Sequence, residues 1–331
     1  MPESDVTHQP QPKGRIDAID IARGAALAAM AIYHFAWDLE FFGYAPASMT
    51  AVGGWKLFAR CIASSFLFLV GVSLFLAHGK GIRWRGYWRR LAMVAGAALA
   101  ISLVTYIAVP TGFIFFGILH QIALASVLGL AFLRLPAALT LIAAAATVAA
   151  VHYLRSPFFD DPWWWWTGLS ENRPRSNDYV PVFPWFAAVL AGIAAAKIAE
   201  QTGLFAKLAT LRAPKWSWPF VFGGRHSLAV YLIHQPVLIA CVWLFSQVFP
   251  PQEETREVRF IQSCERACNE QRDTAFCTRY CVCMLDTLER ENAIEGVYTG
   301  ERSEELQSRV QDIAGRCTVE TDNTMLEGGG Q

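Results

Sequence analysis

Seven long apolar runs constrain this chain more than any other feature. They cover approximately residues 22–42, 57–77, 91–110, 113–133, 136–154, 182–200 and 226–248. About 20 apolar residues cross the hydrocarbon core of a bilayer as a helix. Because a spanning segment must satisfy its backbone hydrogen bonds internally, the expected fold is an all-α membrane bundle of about seven spans.

Charge divides the chain into two parts that meet at Pro250. Residues 1–250 hold 19 Lys and Arg against 11 Asp and Glu, a net charge of +8, whereas residues 251–331 hold 9 Arg against 17 Asp and Glu, a net charge of −8. We predict a disordered start over residues 1–14, a membrane domain over 15–249, and a small helical, acidic, cysteine-rich tail over 250–331. A segment so acidic is unsuited to nucleic acid, and no such partner is expected.

The positions of Lys and Arg predict how the chain crosses the bilayer, which is its first expected partner. Cytoplasmic loops carry an excess of these residues. With the N-terminus in the cytoplasm, the inner segments hold 14 and the outer segments 5 of the 19. Seven spans then place the tail outside, which for a bacterial inner membrane is the periplasm.

Six of the eight cysteines lie in the tail, namely Cys264, Cys268, Cys277, Cys281, Cys283 and Cys317. The first two and the next two are each four residues apart, so each pair shares a helix face. Two antiparallel helices could join Cys264 to Cys281 and Cys268 to Cys277, which leaves Cys283 for Cys317. The alternative is a metal site, but the spacing is less typical of zinc and the tail has no histidine. Disulfides are favoured, no metal is expected, and an oxidising compartment agrees with the predicted topology.

Four ionisable residues follow one face of the first apolar run: Asp20, Arg23, His34 and Asp38. At about 100° per residue, the eleven steps from Arg23 to His34 return to within about 20° of the same direction. Asp38 follows His34 by one turn and can orient its ring. Since ionisable groups inside a membrane helix usually face a polar cavity, this stripe is the predicted site.

Two further histidines, His120 and His234, also fall inside apolar runs. Counting about 1.5 Å per residue places His34 and His120 level in a core about 30 Å thick. Three imidazoles could line one cavity, although a lone membrane histidine is often only a hydrogen-bond partner between helices. Facing histidines could instead hold a b-type haem for electron transfer, and an Asp/His/Arg relay would also suit a proton-coupled transporter.

Three separated segments resemble, in the expected order, the heparan-alpha-glucosaminide N-acetyltransferase-like family of the transmembrane acyltransferases. These segments are RIDAIDIARGAALAAMAIYHFAWDL at 15–39, FGILHQIALAS at 116–126 and GGRHSLAVYLIHQPV at 223–237. The first also has the wider superfamily's spacing of an arginine and a histidine with ten residues between them. The resemblance covers residues 15–248 and excludes the tail.

The resemblance implies transfer of an acyl group, typically acetyl, from cytosolic acetyl-CoA to an acceptor across the membrane. The acceptor would be a hydroxyl or amine of an envelope glycan or lipid-linked sugar. His34 would act as general base or accept the acyl group transiently. Arg23, with Asp20, would contact the donor.

The other two segments add residues to the expected cavity: Gln121 beside His120, and Arg225 with His234. The family's animal members tend to carry Gln without His at the position of His120. Which imidazole performs the chemistry therefore stays open.

The basic loop 78–90 is a second candidate for donor binding, through the phosphates of CoA. The positive charge would come from Lys80, Arg83, Arg85, Arg89 and Arg90. The alternative is an interfacial anchor, in which these cations and two tryptophans hold the loop at the cytoplasmic surface.

The outer loop 155–181 is a candidate acceptor site. It carries four successive tryptophans at 163–166, followed by Arg175 and Asp178. Trp164 and its neighbours could offer a platform for a sugar ring while the polar groups bind hydroxyls. An aromatic belt at the headgroup level is the preferred alternative. The acidic tail, which holds none of the polar stripe, would serve acceptor docking or bind a protein partner.

Overall fold

The computed structural model describes residues 16–172, 174–251, 255–300 and 303–328, and these form helices and no strands. The helices are α1 (Asp17–Phe41), α2 (Gly53–His78), α3 (Trp84–Ala108), α4 (Ile118–Gly129), α5 (Ala137–Tyr153), α6 (Val182–Gln201), α7 (Leu204–Thr210), α8 (Trp218–Arg225), α9 (Ser227–Val248), α10 (Arg256–Cys268), α11 (Thr274–Arg290), α12 (Ile294–Thr299) and α13 (Glu304–Gly328). The all-α class is confirmed. The start that we predicted to be disordered, residues 1–14, lies outside the described residues.

Each of the seven predicted apolar runs coincides with a helix. Five of them, α1, α2, α3, α6 and α9, are long and apolar enough to cross a membrane, whereas Ile118–Phe132 and Ala137–Tyr153 are shorter apolar helices. Large apolar side chains such as Leu99, Ile107 and Ile142 are exposed. A soluble monomer rarely exposes so much apolar surface, so a lipid-facing surface accounts for it.

The chain divides into two compact units. The first unit comprises Met1–Ala31 and Ala59–Gln235, and the second comprises Ile32–Phe58 and Pro236–Gln331. Helices α1, α2 and α9 therefore contribute to both units. The tail helices α10 to α13 all belong to the second.

In the first unit, α2 and α6 approach each other through two glycines. A Cβ at Gly71 would lie 2.1 Å from the carbonyl oxygen of Val189, and one at Gly192 would lie 2.1 Å from that of Phe68. Small residues allow this close backbone approach between membrane helices. The contact places Ile193 in the buried core of the unit.

A buried lysine holds the connection between α4 and α5 against α6. The Lys197 Nζ donates to the carbonyl of Phe132 at 2.6 Å, to the carbonyl of Leu135, and to Thr140 Oγ1 at 3.1 Å. Carbonyls at helix ends have no intrahelical partner. Lys197 supplies one, so this side chain is structural as well as a cation of the predicted cytoplasmic side.

The second unit contains the three disulfides of the tail. Cys264 bonds to Cys281 and Cys268 to Cys277, which joins α10 to α11, and the Cys283–Cys317 bond joins α11 to α13. The predicted pairing is confirmed. A bonded sulfur is not a thiolate ligand, so the metal interpretation of these cysteines was wrong. Beside the bridges, Leu288 and Ile313 form a small apolar core.

Candidate functional site

An ion cluster lies at the start of α1 in the first unit. Asp20 is only 1% exposed, and its carboxylate lies 3.2 Å from Arg23 Nη1 and 3.5 Å from Arg225 Nε. Arg225 also reaches the Asp17 carboxylate at 3.1 Å. The predicted members Asp20, Arg23 and Arg225 are thus brought together, and each buried charge has a partner.

Two glycines make this cluster possible. A Cβ at Gly24 would lie 2.0 Å from the carbonyl oxygen of Phe220, and one at Gly224 would lie 1.9 Å from that of Asp20. The backbones of α1 and α8 therefore touch, which carries Arg225 to Asp20. The sequence contains both glycines, but only the fold shows that they face each other.

Arg23 is also tied to α2. Its second terminal nitrogen donates to the Ser73 hydroxyl, which in turn donates to the carbonyl of Leu69. Ser73 is buried. The guanidinium is thereby held between Asp20 and Ser73 in one orientation, and the sequence analysis did not identify Ser73.

Farther along α1, His34 and Asp38 belong to the second unit. Asp38 is fully buried and His34 is half-buried, beside the ring of Tyr33. The following loop is ordered by Glu40, whose carboxylate accepts from the backbone N–H of Thr50 at 2.9 Å and from its hydroxyl at 2.8 Å. Glu40, which the sequence analysis passed over, thus fixes the end of α1 that carries the predicted base.

His120 occupies the N-terminal turn of α4 with both ring nitrogens in hydrogen bonds. The Gly117 N–H donates to Nδ1 at 3.2 Å, and Nε2 lies 3.1 Å from Ser102 Oγ. Ser102 donates its hydroxyl proton to the carbonyl of Ile114, so the ring donates from Nε2 and is neutral. His120 thus ties α4 to α3.

Gln121 and His234 are the other predicted cavity residues. Gln121 is fully buried, and its amide has no hydrogen-bond partner among the described residues. His234 Nδ1 donates to the carbonyl of Tyr231 at 2.6 Å, which leaves the neutral ring's lone pair on Nε2. Tyr231 packs against the apolar cluster that contains Leu119 of α4, so the second and third family segments are neighbours in the first unit.

Three predicted arginines of the basic loop lie at the surface. Arg83, Arg85 and Arg89 are all exposed. The ammonium of Lys80 pairs with Glu200 at 2.8 Å. Within the described chain, these three arginines fit an interfacial, positively charged surface.

The four tryptophans of the outer loop lie on a 3₁₀ helix, Pro162–Thr167. With three residues per turn, successive rings point in different directions, so they do not form one flat platform. Trp163 is 85% exposed and Trp164 38% exposed, whereas Trp165 turns inward and donates from Nε1 to the carbonyl of Asp160 at 2.8 Å. Trp164 packs on Phe158.

Asp160 organises this loop, a role that the sequence analysis missed. Its carboxylate accepts from Ser170 Oγ at 2.6 Å, from the Glu171 N–H at 2.9 Å and from Asn172 Nδ2 at 2.8 Å. The hydrogen bond from Ser170, followed by those from Asn172 and Glu171, lowers the pKa of the Asp160 carboxyl. The sequence did contain a signal for this role, because Asp160 is an acidic residue that precedes several polar residues of the same loop.

Asp178 caps α4, while Arg175 is exposed. The Ile118 N–H donates to Asp178 Oδ2 at 2.8 Å, and a Cβ at Gly117 would lie 2.3 Å from the same oxygen. Burial raises the pKa of Asp178 to about 6, against the opposing effect of the Ile118 hydrogen bond. The structure thus joins the outer loop to the segment that carries His120.

A comparison with known families matches residues 15–236 to the model described as heparan-alpha-glucosaminide N-acetyltransferase, catalytic. The match includes the ion cluster, His34, His120 and His234, and it ends before the second half of α9 and the tail. Neither a curated protein nor a solved structure matches the chain. The matched segment is more than half of the 331 residues, and the chain therefore belongs to this family of membrane acetyltransferases.

Proposed function

We propose that this protein transfers an acetyl group from cytosolic acetyl-CoA to a hydroxyl or amine of an envelope glycan or lipid-linked sugar. The ion cluster of Asp20, Arg23 and Arg225 is the observation that carries the proposal. It is a buried polar group on a helix long enough to span the membrane, within the segment that matches the acetyltransferase family. Such groups inside a membrane usually mark a substrate path.

The donor is proposed to meet the cluster through Arg23. Its guanidinium is oriented by Asp20 and Ser73, so its position does not depend on the ligand. A preoriented cation favours an anionic or polarised donor group, because little side-chain entropy is lost on binding.

The chemistry requires few groups from the protein. An acyl thioester is already activated, so a base on the acceptor and donors for the tetrahedral oxyanion suffice. His34 is proposed to take the acceptor proton, with Asp38 orienting the ring; the acceptor oxygen or nitrogen bonds to the acyl carbon, and the CoA thiolate leaves and is protonated. His120, with both nitrogens engaged, is assigned to positioning.

The proposed orientation is an inner-membrane protein with a cytoplasmic N-terminus and a periplasmic tail. The second unit supports it, because the end of α1 and the tail belong to that unit together. In this unit the Tyr44 ring lies 5.5 Å from that of Phe245, and Lys56 pairs with Glu270 at 3.9 Å. The acceptor would then meet the outer loop that holds Trp164 and Asp178.

Inverted inner-membrane vesicles supplied with labelled acetyl-CoA test the proposal. We expect label to enter envelope glycans or lipids only when the protein is present. Accumulation of a substrate in the vesicles that is driven by a pH difference and needs no acyl donor would instead indicate a proton-coupled transporter. A Soret band in the purified protein's visible spectrum would indicate the haem-b alternative.

A further inference from the structure

A cavity opens in the first unit where α2 ends and α3 begins. Its polar lining comes from His78, Tyr87, Arg90 and Ser126, and four aliphatic side chains form the rest of the wall. It lies at the end of the bundle that carries the basic loop. Three of its lining residues, His78, Tyr87 and Arg90, belong to the basic loop 78–90 that the sequence gives as a candidate donor site.

Three of the four polar groups of this cavity offer a hydrogen-bond donor. Tyr87 is 4% exposed, and its hydroxyl has no hydrogen-bond partner among the described residues. The Arg83 N–H donates to His78 Nδ1 at 3.3 Å, so the neutral imidazole holds its proton on Nε2. Ser126 gives its proton to the carbonyl of Ile122. The cavity thus lacks an acceptor-rich, anionic partner for its donors.

Arg90 adds positive charge without a compensating carboxylate. In the described part of the chain, no acidic side chain lies within 4 Å of its guanidinium, and the Arg90 side chain is exposed where it lines the cavity. A guanidinium beside a cavity with no carboxylate near it favours an anion there.

We infer that this cavity binds a phosphoryl group of the CoA donor, through Arg90, Tyr87 and His78. This rests on the proposed function. A phosphoryl group offers only acceptor oxygens, which matches the donors of the lining. Arg23 contacts α2 at Ser73, five residues before His78, or about 7.5 Å along the helix axis. A donor anchored by its phosphate at Arg90 can therefore extend toward the ion cluster.

Calorimetric titration of the full chain in phosphatidylcholine nanodiscs tests the inference, with CoA and with pantetheine, which lacks the nucleotide phosphates. Arg90→Gln is expected to weaken CoA binding about tenfold or more, because a hydrogen bond to a charged group is lost, and to leave pantetheine binding unchanged. Tyr87→Phe should weaken CoA binding about threefold. Arg134→Gln, an exposed cation of the same unit, is the matched control, and thermal unfolding confirms that each variant folds.

Three outcomes would overturn the inference alone, and a fourth would refute the proposed function. Equal CoA affinities for the Arg90→Gln and Arg134→Gln variants would remove Arg90 from the donor site and leave the proposed function intact. An equal loss in Arg89→Gln would indicate diffuse surface charge. If Arg90→Gln abolished only the thermal stabilisation by phosphatidylglycerol, the cavity would hold a lipid headgroup. A wild-type protein that binds no CoA would refute the donor of the proposed function itself.

Discussion

At the scale of single residues, Asp20 shows how the fold manages charge in an apolar environment. A buried carboxylate is costly unless it is paired, and Asp20 has guanidinium groups on two sides, from Arg23 and Arg225. Because these two cations share one anion, they are not equivalent: Arg225 also has Asp17, whereas Arg23 reaches Ser73.

Arg23→Ala is expected to raise KM for acetyl-CoA about tenfold while KM for the acceptor is unchanged, because Arg225 still pairs with Asp20 and keeps the cluster folded. Steady-state kinetics with each substrate varied in turn measures this. Arg212→Ala, which removes an exposed arginine, should leave both constants at wild-type values. If the variant keeps its affinity for CoA but its rate no longer depends on the acceptor, the donor does not bind at Arg23.

His34→Ala should reduce transfer by about 10²- to 10⁴-fold, the usual contribution of a general base. A half-buried imidazole contributes less to packing, so insertion and thermal unfolding should stay near normal. The rate is compared with that of His152→Ala, which alters an exposed histidine at the end of α5. Retention of more than about a tenth of wild-type turnover would exclude His34 as the base.

Asp178 should make the stability of the outer loop depend on pH. The pKa of Asp178 in the folded protein, about 6, exceeds the ordinary 3.8. The protonated carboxyl therefore stabilises the folded state fully below about pH 4, and this stabilisation is lost as the pH rises through 6. At pH 7.5, Asp178→Asn should therefore unfold at a higher temperature than wild type, and its free energy of unfolding should be larger by at most roughly 3 kcal/mol. Near pH 4 the two proteins should not differ.

Asp160→Asn serves as the opposite control for that titration. The pKa of Asp160 is lowered by its hydrogen bonds, so its ionised form stabilises the fold above its ordinary pKa, and the variant should be less stable than wild type at pH 7.5. The same sign of change in both variants would contradict the assignment for Asp178.

At the scale of helices, α2 and α6 differ from α3 in how their glycines are used. Gly71 and Gly192 lie where two backbones touch, whereas a Cβ at Gly96 of α3 would meet nothing within 4 Å. Apolar periodicity locates all three helices, but it does not distinguish a glycine at a contact from one facing lipid. The distinction depends on which helix becomes the neighbour.

Gly192→Ala should lower the free energy of unfolding by about 1–3 kcal/mol, because the added methyl group would collide with the carbonyl of Phe68. Gly96→Ala should leave stability unchanged or raise it by up to about 1 kcal/mol through helix propensity. Thermal unfolding in detergent compares them, and equal midpoints would show that α2 and α6 are not in close contact.

At the scale of the whole molecule, the tail is expected to be a cross-linked periplasmic body. Its six cysteines should resist alkylation until the protein is both denatured and reduced, while the unbonded Cys61 and Cys241 react in denaturant alone. Each bridge should contribute roughly 2–4 kcal/mol. Alkylation of all six tail cysteines in intact, oxidised membranes would contradict the disulfide bridges. If the reduced cysteines react only with a reagent added on the cytoplasmic side, the predicted topology is contradicted.

The sequence by itself determined the all-α class and the seven apolar helices, because the length of an apolar run is a local property. It indicated the disulfide pairing, which the structure then confirmed. It also placed Asp20 and Arg23 on one face of α1, because helical periodicity is local.

Only the tertiary structure decided what those residues contact. Arg225 joins Asp20 because Gly24 and Gly224 let α1 and α8 touch, some 200 residues apart in sequence. The same holds for Ser102, whose contact with His120 ties α3 to α4. Such pairings depend on the packing of distant segments, and spacing within one segment carries no information about them.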